Sequence, residues 1–489
     1  METTALFNEK TKRFLRYVPL IFAFCLNVWV LVTQYWLVDS DMSQEMLLAE
    51  HLVKTGKIIS KDWYYTTELR VYNIHTFFKI FLRIFPNNWQ LVRIFASSSI
   101  YLLYLASIYM LFSVTGNRQT WVYAGTLLML PMSSKYWFLG IFGLGYVFYA
   151  AHILIIITCV LSKRKPLWIV GAILSFLLGL NGVKMILFLF APLTATAVLV
   201  LWKKPKKNVR YALLSLGFSF ASAIGLLITH FRFEDYHFYK YADTTFIGTS
   251  WSADIKISEF FDKIIDLVAL LGYQGGAKVF SLYGFGTIVF LLVVFFIVFE
   301  CMKPVIKNHK NNAEKYVMYV LISIIAIDTM AFTLLSVEYN SSYWIPCFAL
   351  LICFGIMQLK ENKKSVILII ACCAFMSFVT LKRNIELPLR GRRGLQEVAT
   401  WLANNGYKTG YAQFWDADAS TEFTSGKLEI WAVSDINNLD NLSWGQAYDH
   451  FSIRPEKPFV IVKKSELAQE GTLSTMNIIY DNEYYYVLK

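Results

Sequence analysis

No cysteine lies in the polar parts of this sequence. The seven that are present fall in or at the edge of long apolar runs: Cys25, Cys159, Cys301, Cys347, Cys353, Cys372 and Cys373. No polar segment is therefore expected to close a disulfide bond, which suits a bacterial plasma membrane better than a membrane of the secretory pathway. A small-residue cleavage site is also missing after the first apolar run, so a cleavable signal peptide is not expected.

Several signatures of catalysis, transport and nucleic-acid binding are missing too. Residues 383–489 contain no glycine-rich phosphate loop, zinc-ligand spacing or nucleophile elbow. No internal repeat is evident, although secondary transporters are usually built from repeats. The 46 Lys and Arg outnumber the 34 Asp and Glu, but they are spread over many loops. Without a basic patch, nucleic acid is excluded as a partner.

Hydrophobic residues, in contrast, make up 56% of the chain. They recur in stretches of about 20 residues, the length that a membrane-spanning helix requires. The fold class predicted is a polytopic α-helical membrane protein with about eleven transmembrane helices. The predicted spans are 16–38, 91–114, 120–134, 143–161, 167–181, 185–202, 211–231, 279–300, 316–337, 343–359 and 365–381.

Basic residues in the short loops predict the orientation, because such loops stay on the cytoplasmic side. Lys10, Lys12, Arg13 and Arg16 place the N-terminus in the cytoplasm, and every second loop after it carries Lys or Arg. With eleven spans, the loops 39–90 and 232–278 lie outside. The sequence thus predicts a transmembrane body at 1–382 and an extracytoplasmic domain at 383–489.

The residues from 383 onward indicate a small α/β domain. LQEVATWLANNG has helical spacing, GYAQFW, LEIWAV and FVIVKK are typical of strands, and IIYDNEYYYVLK indicates a hairpin that turns at Asp481-Asn482. Strands that alternate with helices favour a compact sheet domain. Asp416 and Asp418 follow the first predicted strand, and we expect them to cap the next helix rather than to act in catalysis.

The first outside loop carries the clearest functional signal. Its run DSDMSQEMLLAEHLVKTGKIISKDWYYTTELR is rich in acids and follows the first span directly. Apolar residues at helical spacing over 42–55 predict an amphipathic helix along the membrane face. Asp39, Ser40 or Asp41 is suited to cap this helix. Acids at a membrane boundary are costly unless they are used, so Asp41 is equally a candidate for chemistry.

This arrangement resembles a known family. One span, an outside Asp41 at the head of an interfacial helix, and Gly56 fifteen residues later are similar to the GT-C superfamily of polyprenyl-phosphate-sugar-dependent glycosyltransferases. Aminoarabinose transferases and protein O-mannosyltransferases belong to it. Met42 stands where the family has Glu, TELR at 67–70 replaces its Lys-Pro-Pro-Leu, and Ser342 replaces an Arg near the end of the body. The resemblance implies a GT-C-like body with an outside C-terminal domain.

The resemblance also implies the chemistry of the site. Sugar transfer requires a base that takes the proton of the acceptor hydroxyl, and Asp41 is the candidate. Arg70, and after it Lys184 and Lys135, are candidates to bind the phosphate of the donor. Three further acids are candidates to orient the acceptor or to hold a divalent cation, Mg²⁺ or Mn²⁺: Asp39, Glu68 and Glu45. The sequence itself identifies no metal or other cofactor.

The second outside loop, 232–278, is rich in aromatic and charged residues and is a candidate lid over bound substrate. Its candidate substrate contacts are His237, Tyr239, Lys240 and Trp251. Aromatic residues at a membrane interface are an alternative reason for this composition.

The predicted function is transfer of a sugar from a polyprenyl-phosphate donor to a cell-envelope acceptor on the outer face of the plasma membrane. The acceptor classes that fit this location are a cell-surface polysaccharide, a teichoic acid and a glycolipid. Two alternatives stay open. A polysaccharide polymerase or ligase is expected to concentrate arginines in a long central loop, where 232–278 has only Arg232. A transporter or a non-enzymatic assembly factor is the other alternative.

Overall fold

A computed structural model describes residues 14–203, 205–236, 262, 270, 278, 280–306, 311–334, 341–359, 363–382, 389–452, 454–467 and 472–489. The chain divides into two compact units. The first comprises Met1–Trp29, Ile100–Thr229 and Lys240–Asn384, and the second comprises Val30–Ser99, His230–Tyr239 and Ile385–Lys489. The loop 39–90, which the sequence predicts to lie outside, therefore belongs to the same unit as the C-terminal residues.

The helices follow the apolar runs of the sequence. In chain order they are α1 (Val18–Thr33), α2 (Ser40–Thr55), α3 (His75–Leu82), α4 (Trp89–Val114), α5 (Trp121–Met129), α6 (Gly145–Leu161), α7 (Lys165–Asn181), α8 (Ala191–Lys203), α9 (Pro205–Arg232), α10 (Leu282–Ile306), α11 (Asn312–Leu334), α12 (Ile345–Gln358), α13 (Lys363–Val379), α14 (Arg390–Asn404), α15 (Phe414–Phe423) and α16 (Asp449–Ser452). Two π-helical segments lie at Tyr136–Phe142 and Ile186–Phe190, and 3-10 turns at Tyr35–Leu37, Ser341–Trp344 and Thr472–Thr475.

Every predicted span coincides with a helix, but fewer helices qualify as complete crossings. Among the described residues, six are long and apolar enough to cross a membrane. A seventh is added if Tyr136–Phe142 and α6, which are bent by 71° at a short break, count as one span. α5 has only 9 residues, too few to cross a bilayer alone. The chain is a multi-pass membrane protein, and the number of eleven crossings stays a prediction.

A buried asparagine links three helical segments of the first unit. Asn27 of α1 donates from Nδ2 to the carbonyl of Met129 in α5 at 2.8 Å. It accepts at Oδ1 from Nε1 of Trp137, in the first π-helical segment, at 2.6 Å. Asn27 is 1% exposed, and a polar group inside an apolar bundle is costly unless it is bonded in this way.

The C-terminal residues form a six-stranded sheet in the second unit. The strands are β1 (Thr409–Gln413), β2 (Glu429–Asp435), β3 (Asp440–Asn441), β4 (Phe459–Lys463), β5 (Ile478–Asp481) and β6 (Tyr485–Leu488). Their order is β3-β2-β1-β4-β6-β5, with β2, β1 and β4 parallel and the other pairs antiparallel. The expected C-terminal α/β sheet is confirmed, including the hairpin that turns after Asp481.

The two faces of this sheet are covered by different side chains, because successive residues of a strand point to opposite faces. Ala412 and Ile430 pack with Leu395 and Val398 of α14 on one face. Tyr411, with other strand residues, lies on the other face. The alternation along FVIVK and LEIWAV is thus the pattern of a sheet that is buried on both sides.

The predicted capping roles of Asp416 and Asp418 are wrong. β1 ends at Gln413, so that Phe414 and Trp415 belong to α15 rather than to the strand. Gln413 is the N-cap residue and makes no side-chain cap bond. Phe414 packs against the helix-covered face of the sheet, which explains why the helix begins two residues earlier than expected. Both aspartates therefore lie within α15.

Candidate functional site

α2 is capped by the first acid of the loop. Asp39 has extended backbone and accepts at Oδ1 from the backbone N–H of Met42 at 3.0 Å. Its carboxylate also lies 3.4 Å from Nη1 of Arg392 in α14. At the other end, Gly56 takes a left-handed conformation with φ +67°, which glycine adopts without steric cost. The cap is therefore Asp39, and Asp41 is not needed for it.

Asp41 lies in the first turn of α2 with its side chain exposed. Gln44 donates from Nε2 to the carbonyl of Asp41 at 3.1 Å, and the same nitrogen lies 3.5 Å from Oδ1. Gln44 is in turn confined by Gly445, where a Cβ atom would lie 2.7 Å from Oε1 of Gln44. Asp41 also interacts electrostatically with Asp418 of α15. Asp41 is thus an exposed carboxylate that lies beside Gln44 and close to Asp418.

Much of the rest of α2 is buried against other parts of the protein. It packs against α3 on one side and α15 on another. Leu48 and Leu52 form a buried cluster with Trp63, Tyr65 and Leu69 from the loop that follows. Fully burying a leucine of this kind contributes about 1.5–3 kcal/mol. The apolar face predicted to lie on the membrane is therefore used, within the second unit, to pack against other parts of the chain.

Glu45 and Arg70 form a buried ion pair. The guanidinium of Arg70 contacts Oε1 of Glu45, and its Nη2 donates to Oγ1 of Thr66 at 2.7 Å. The side chains are 14% and 4% exposed. Arg70 has a φ of +56°, a conformation that costs a residue other than glycine on the order of 1 kcal/mol. The ion pair and the Thr66 bond oppose that cost.

His75 lies beside the same pair. Its Nδ1 is 3.7 Å from Oε2 of Glu45. Burial, together with the positive charges of Arg70 and Lys79, lowers the pKa of His75 to about 3. His75 is therefore neutral at neutral pH and does not compensate the charge of Glu45, which is paired with Arg70.

A second buried ion pair joins α15 to the first turns of α4. Glu422 accepts from Nε of Arg93 at 2.5 Å and from Nη2 at 2.6 Å, and Tyr35 donates its hydroxyl to Glu422 at 2.8 Å. Arg93 also donates to the carbonyl of Met42 at 3.0 Å. Arg93 and Glu422 are 1% and 0% exposed. A bidentate pair of this type is strong and geometrically specific.

Backbone bonds connect the first loop to the C-terminal domain. Tyr64 N donates to the carbonyl of Gln446 at 2.8 Å, and Gly445 N donates to the carbonyl of Tyr64 at 2.9 Å. Tyr448 N donates to the carbonyl of Asp62 at 3.0 Å. The loop after α2 thus pairs like a short strand with residues 445–448, and the C-terminal domain helps to shape the surroundings of Asp41.

The structure distributes the predicted phosphate-binding residues over both units. Arg70 lies in the second unit. Lys135 immediately precedes the π-helical segment Tyr136–Phe142 in the first unit, with Nζ 3.4 Å from Oγ of Ser341. Lys184 follows α7 at the turn that leads to Ile186–Phe190, also in the first unit. Lys135 directly precedes its π-helical segment and Lys184 lies two residues before the other, a local geometry that is frequent at functional sites.

The acids predicted to assist a metal ion do not assemble into a cation site. Asp39 is used as a cap and contacts Arg392, and Glu45 is paired with Arg70. Glu68 is buried. Over the residues that the structure describes, no group of three His, Cys, Asp or Glu side chains is arranged to hold a metal ion. The described acids therefore do not form a site that fits a bound cation.

The candidate lid residues His237, Tyr239, Lys240 and Trp251 lie outside the described residues. Three residues that the sequence did not suggest for the site lie close to Asp41 or to α2. They are Arg93 and Glu422, which form the buried pair, and Asp418. The local sequence signal for Asp418 and Glu422 is the run of acids in FWDADASTEF. Nothing near this run in the sequence indicates which cation would pair with it.

The pairing of Glu45 with Arg70 predicts a large loss of stability on truncation. Arg70→Ala leaves Glu45 as a buried charge without a compensating cation, which should cost about 3–5 kcal/mol. Adding Glu45→Gln should recover most of that loss. Thermal unfolding of the detergent-solubilised variants measures both effects. If Arg70→Ala instead keeps the stability of the wild type, the pair has no structural role and Arg70 is available for the donor phosphate.

No family model matches the chain, and no curated protein matches it. Among solved structures, it is similar to ArnT from Cupriavidus metallidurans bound to undecaprenyl phosphate, with a TM-score of 0.61, 10% identity, and coverage of 96% of this chain and 97% of that chain. The apo state of that protein gives a TM-score of 0.43 at 10% identity, over 92% and 93% of the two chains. ArnT is an aminoarabinose transferase of the GT-C type, so the expected resemblance is confirmed for the fold.

Proposed function

We propose, on the premise of this shared fold, that the protein is a membrane glycosyltransferase. It moves a sugar from a polyprenyl-phosphate donor to an acceptor of the cell envelope, on the outer face of the plasma membrane. The observation that carries the proposal is that two different aspartates lie at the start of α2, one that caps the helix and one that is exposed. Asp39 caps the helix, whereas Asp41 is exposed in the first turn and is not the cap residue.

The chemistry follows from the charges that change during transfer. A hydroxyl of the acceptor attacks the anomeric carbon of the sugar, and the bond from that carbon to the phosphate oxygen breaks. Asp41 takes the hydroxyl proton as general base, a contribution of roughly a hundredfold to ten-thousandfold. The polyprenyl phosphate departs with the electron pair of the broken bond, and cationic side chains stabilise its charge.

The donor is proposed from the likeness to the ArnT structure, which contains undecaprenyl phosphate. Lys135, Lys184 and Arg70 are the proposed contacts to the donor phosphate. The two lysines fit this role better than Arg70, because Arg70 is already paired with Glu45 inside the protein. Lys135→Ala should raise the KM for donor by roughly tenfold, which is the loss of one charge-assisted hydrogen bond.

A cysteine-labelling experiment tests whether the proposed site lies on the outer face of the membrane. Asn404 is exposed at the end of α14, and Lys163 is exposed between α6 and α7. In a cysteine-free background, Asn404→Cys should react with an impermeant thiol reagent on intact cells, because the lysine-rich loops predict that α14 lies outside. Lys163→Cys, the matched control, should react only after lysis. The reverse pattern would invert the orientation.

Mass analysis of the envelope tests the function in cells. Cells that lack the protein, and cells with Asp41→Asn, should both lose the same sugar substituent from one envelope polymer or glycolipid. A change in polymer length would indicate a polymerase or ligase instead. Intracellular accumulation of an intact envelope precursor would indicate a transporter. An unchanged envelope in cells without the protein would contradict the proposal.

A further inference from the structure

Asp418 is a completely enclosed carboxyl group close to the proposed base. It lies in the middle of α15, the helix of the C-terminal domain that packs against α2, and it is 1% exposed. Its Oδ2 atom has no hydrogen-bond partner among the described residues. Buried polar atoms are nearly always bonded, so an exception of this kind calls for a physical reason.

The charges around Asp418 do not compensate it. Asp41 from α2 and Glu422 from one turn later in α15 both act on it as negative charges. The cations that the structure places around α15 have carboxylate partners elsewhere: Arg93 with Glu422, Arg392 with Asp39, and Lys463 with Asp416. Burial, and after it the charges of Asp41 and Glu422, raise the pKa of the Asp418 carboxyl well above its ordinary value.

A carboxyl group of this kind lowers the stability of the folded protein at neutral pH. The unfolded chain loses the Asp418 proton near pH 4, whereas the folded chain keeps it. The folded state then binds more protons than the unfolded state, so stability falls as the pH rises from about 4 toward the folded pKa. An asparagine has the same shape without this cost. A buried acid of this kind is therefore a candidate for a role other than packing.

We propose that Asp418 is a positioning residue for Asp41, and that before transfer the two carboxyl groups hold one proton between them, which resides on Asp418. This inference rests on the proposed function. Asp418 holds the proton and presents its O–H toward the carboxylate of Asp41, which orients the base and withholds a second negative charge from the departing phosphate. During transfer Asp41 takes the proton of the acceptor hydroxyl and releases it to water afterwards. Asp418 keeps its own proton throughout.

Two substitutions at Asp418 separate proton donation from packing. Asp418→Asn keeps the shape and a hydrogen-bond donor, and we expect it to retain at least about a third of the wild-type kcat at neutral pH. Asp418→Ala removes the donor and should lower kcat about tenfold, the size expected for the loss of one hydrogen bond to a charged group. The kcat of the wild type should fall at alkaline pH, where Asp418 loses its proton. The kcat of Asp418→Asn should not fall there, because an amide does not ionise.

Unfolding measurements test the proton shared by Asp41 and Asp418 without an activity assay. Asp418→Asn should raise the Tm above wild type by about 2 °C or more at pH 8 and by nothing at pH 4. In an Asp41→Asn background the increase should be smaller, because one of the two charges that oppose ionisation is gone. Asp416→Asn is the matched control on the same helix. It is bonded to Lys463 and Tyr485, and its effect should not depend on residue 41.

The outcomes distinguish this inference from the proposed function. If the wild type transfers sugar but Asp418→Asn and Asp418→Ala lower kcat equally, the positioning role is overturned while the transferase stands. Equal Tm changes at pH 4 and pH 8 would likewise overturn the shared proton. If the wild type transfers no sugar from a polyprenyl-phosphate donor, the proposed function fails, and the unfolding cycle still decides whether Asp41 and Asp418 share a proton.

Discussion

Asp41→Asn is expected to lose at least roughly a hundredfold of sugar transfer, because an amide cannot take the proton of the acceptor hydroxyl. Its stability should stay within about 1 kcal/mol of wild type, the size of the interaction between a first-turn acid and the helix dipole. Stability is otherwise unaffected because Asp39, not Asp41, caps α2. Transfer by purified protein in detergent, with the Tm of each variant, measures both effects.

The matched control is Asp39→Asn, the same chemical change two residues earlier. Asparagine caps a helix about as well as aspartate, so the start of α2 should persist. The variant loses the charge that faces Arg392 at 3.4 Å, a partly exposed pair of modest value. Transfer should therefore stay within about threefold of wild type. Near-normal transfer by Asp41→Asn, or a large loss only in Asp39→Asn, would remove Asp41 from the base position.

Glu422→Gln is expected to lower the free energy of unfolding of the second unit by about 3–5 kcal/mol. The substitution leaves Arg93, which is 1% exposed, as a buried cation without a counter-charge. It also weakens the bond from the hydroxyl of Tyr35. Because α15 then packs less firmly against α2, sugar transfer should fall together with stability. Thermal unfolding in detergent, followed by intrinsic tryptophan fluorescence, measures the loss.

Two comparisons make this prediction specific. The double variant Arg93→Met with Glu422→Met removes both charges and should recover much of the stability, since apolar replacements of buried pairs are often tolerated. The exposed pair of Lys464 with Asp481 is the control, and Asp481→Asn should change stability by only about 0.5 kcal/mol. Equal losses in Glu422→Gln and Asp481→Asn would show that the buried pair does not hold α15 in place.

Elements with a strong local pattern were predictable from the sequence. The eleven apolar runs all became helices, and the strands of residues 409–488 follow alternation of side chains along short segments. The helix over 42–55 was also anticipated, because its apolar residues recur at helical spacing and Gly56 ends it. The bent pair at Tyr136–Phe142 and α6 shows the limit of that approach. Hydropathy locates an apolar segment but does not say whether it crosses the membrane straight.

The surroundings of the candidate site were not predictable in the same way. Arg93 and Glu422 are 329 residues apart in sequence, and neither position has a local feature that identifies its partner. Asp418 stood in a run of acids for which a helix cap was the simplest interpretation. Arg70 was expected to bind phosphate because it is a basic residue in the loop, but its φ of +56° and its pairing with Glu45 depend on tertiary contacts. Such contacts arise only when the first loop and the C-terminal residues pack into one unit.

The most direct test of the central claim is the release of polyprenyl phosphate by the purified protein. Wild-type protein in detergent is incubated with a radiolabelled polyprenyl-phosphate sugar and an extract of envelope acceptors, and the lipid product is separated by chromatography. We predict acceptor-dependent release of free polyprenyl phosphate by the wild type, reduced at least roughly a hundredfold by Asp41→Asn. Absence of release by the folded wild-type protein with every polyprenyl-phosphate sugar and acceptor class tried, or equal release by Asp41→Asn, would contradict the account.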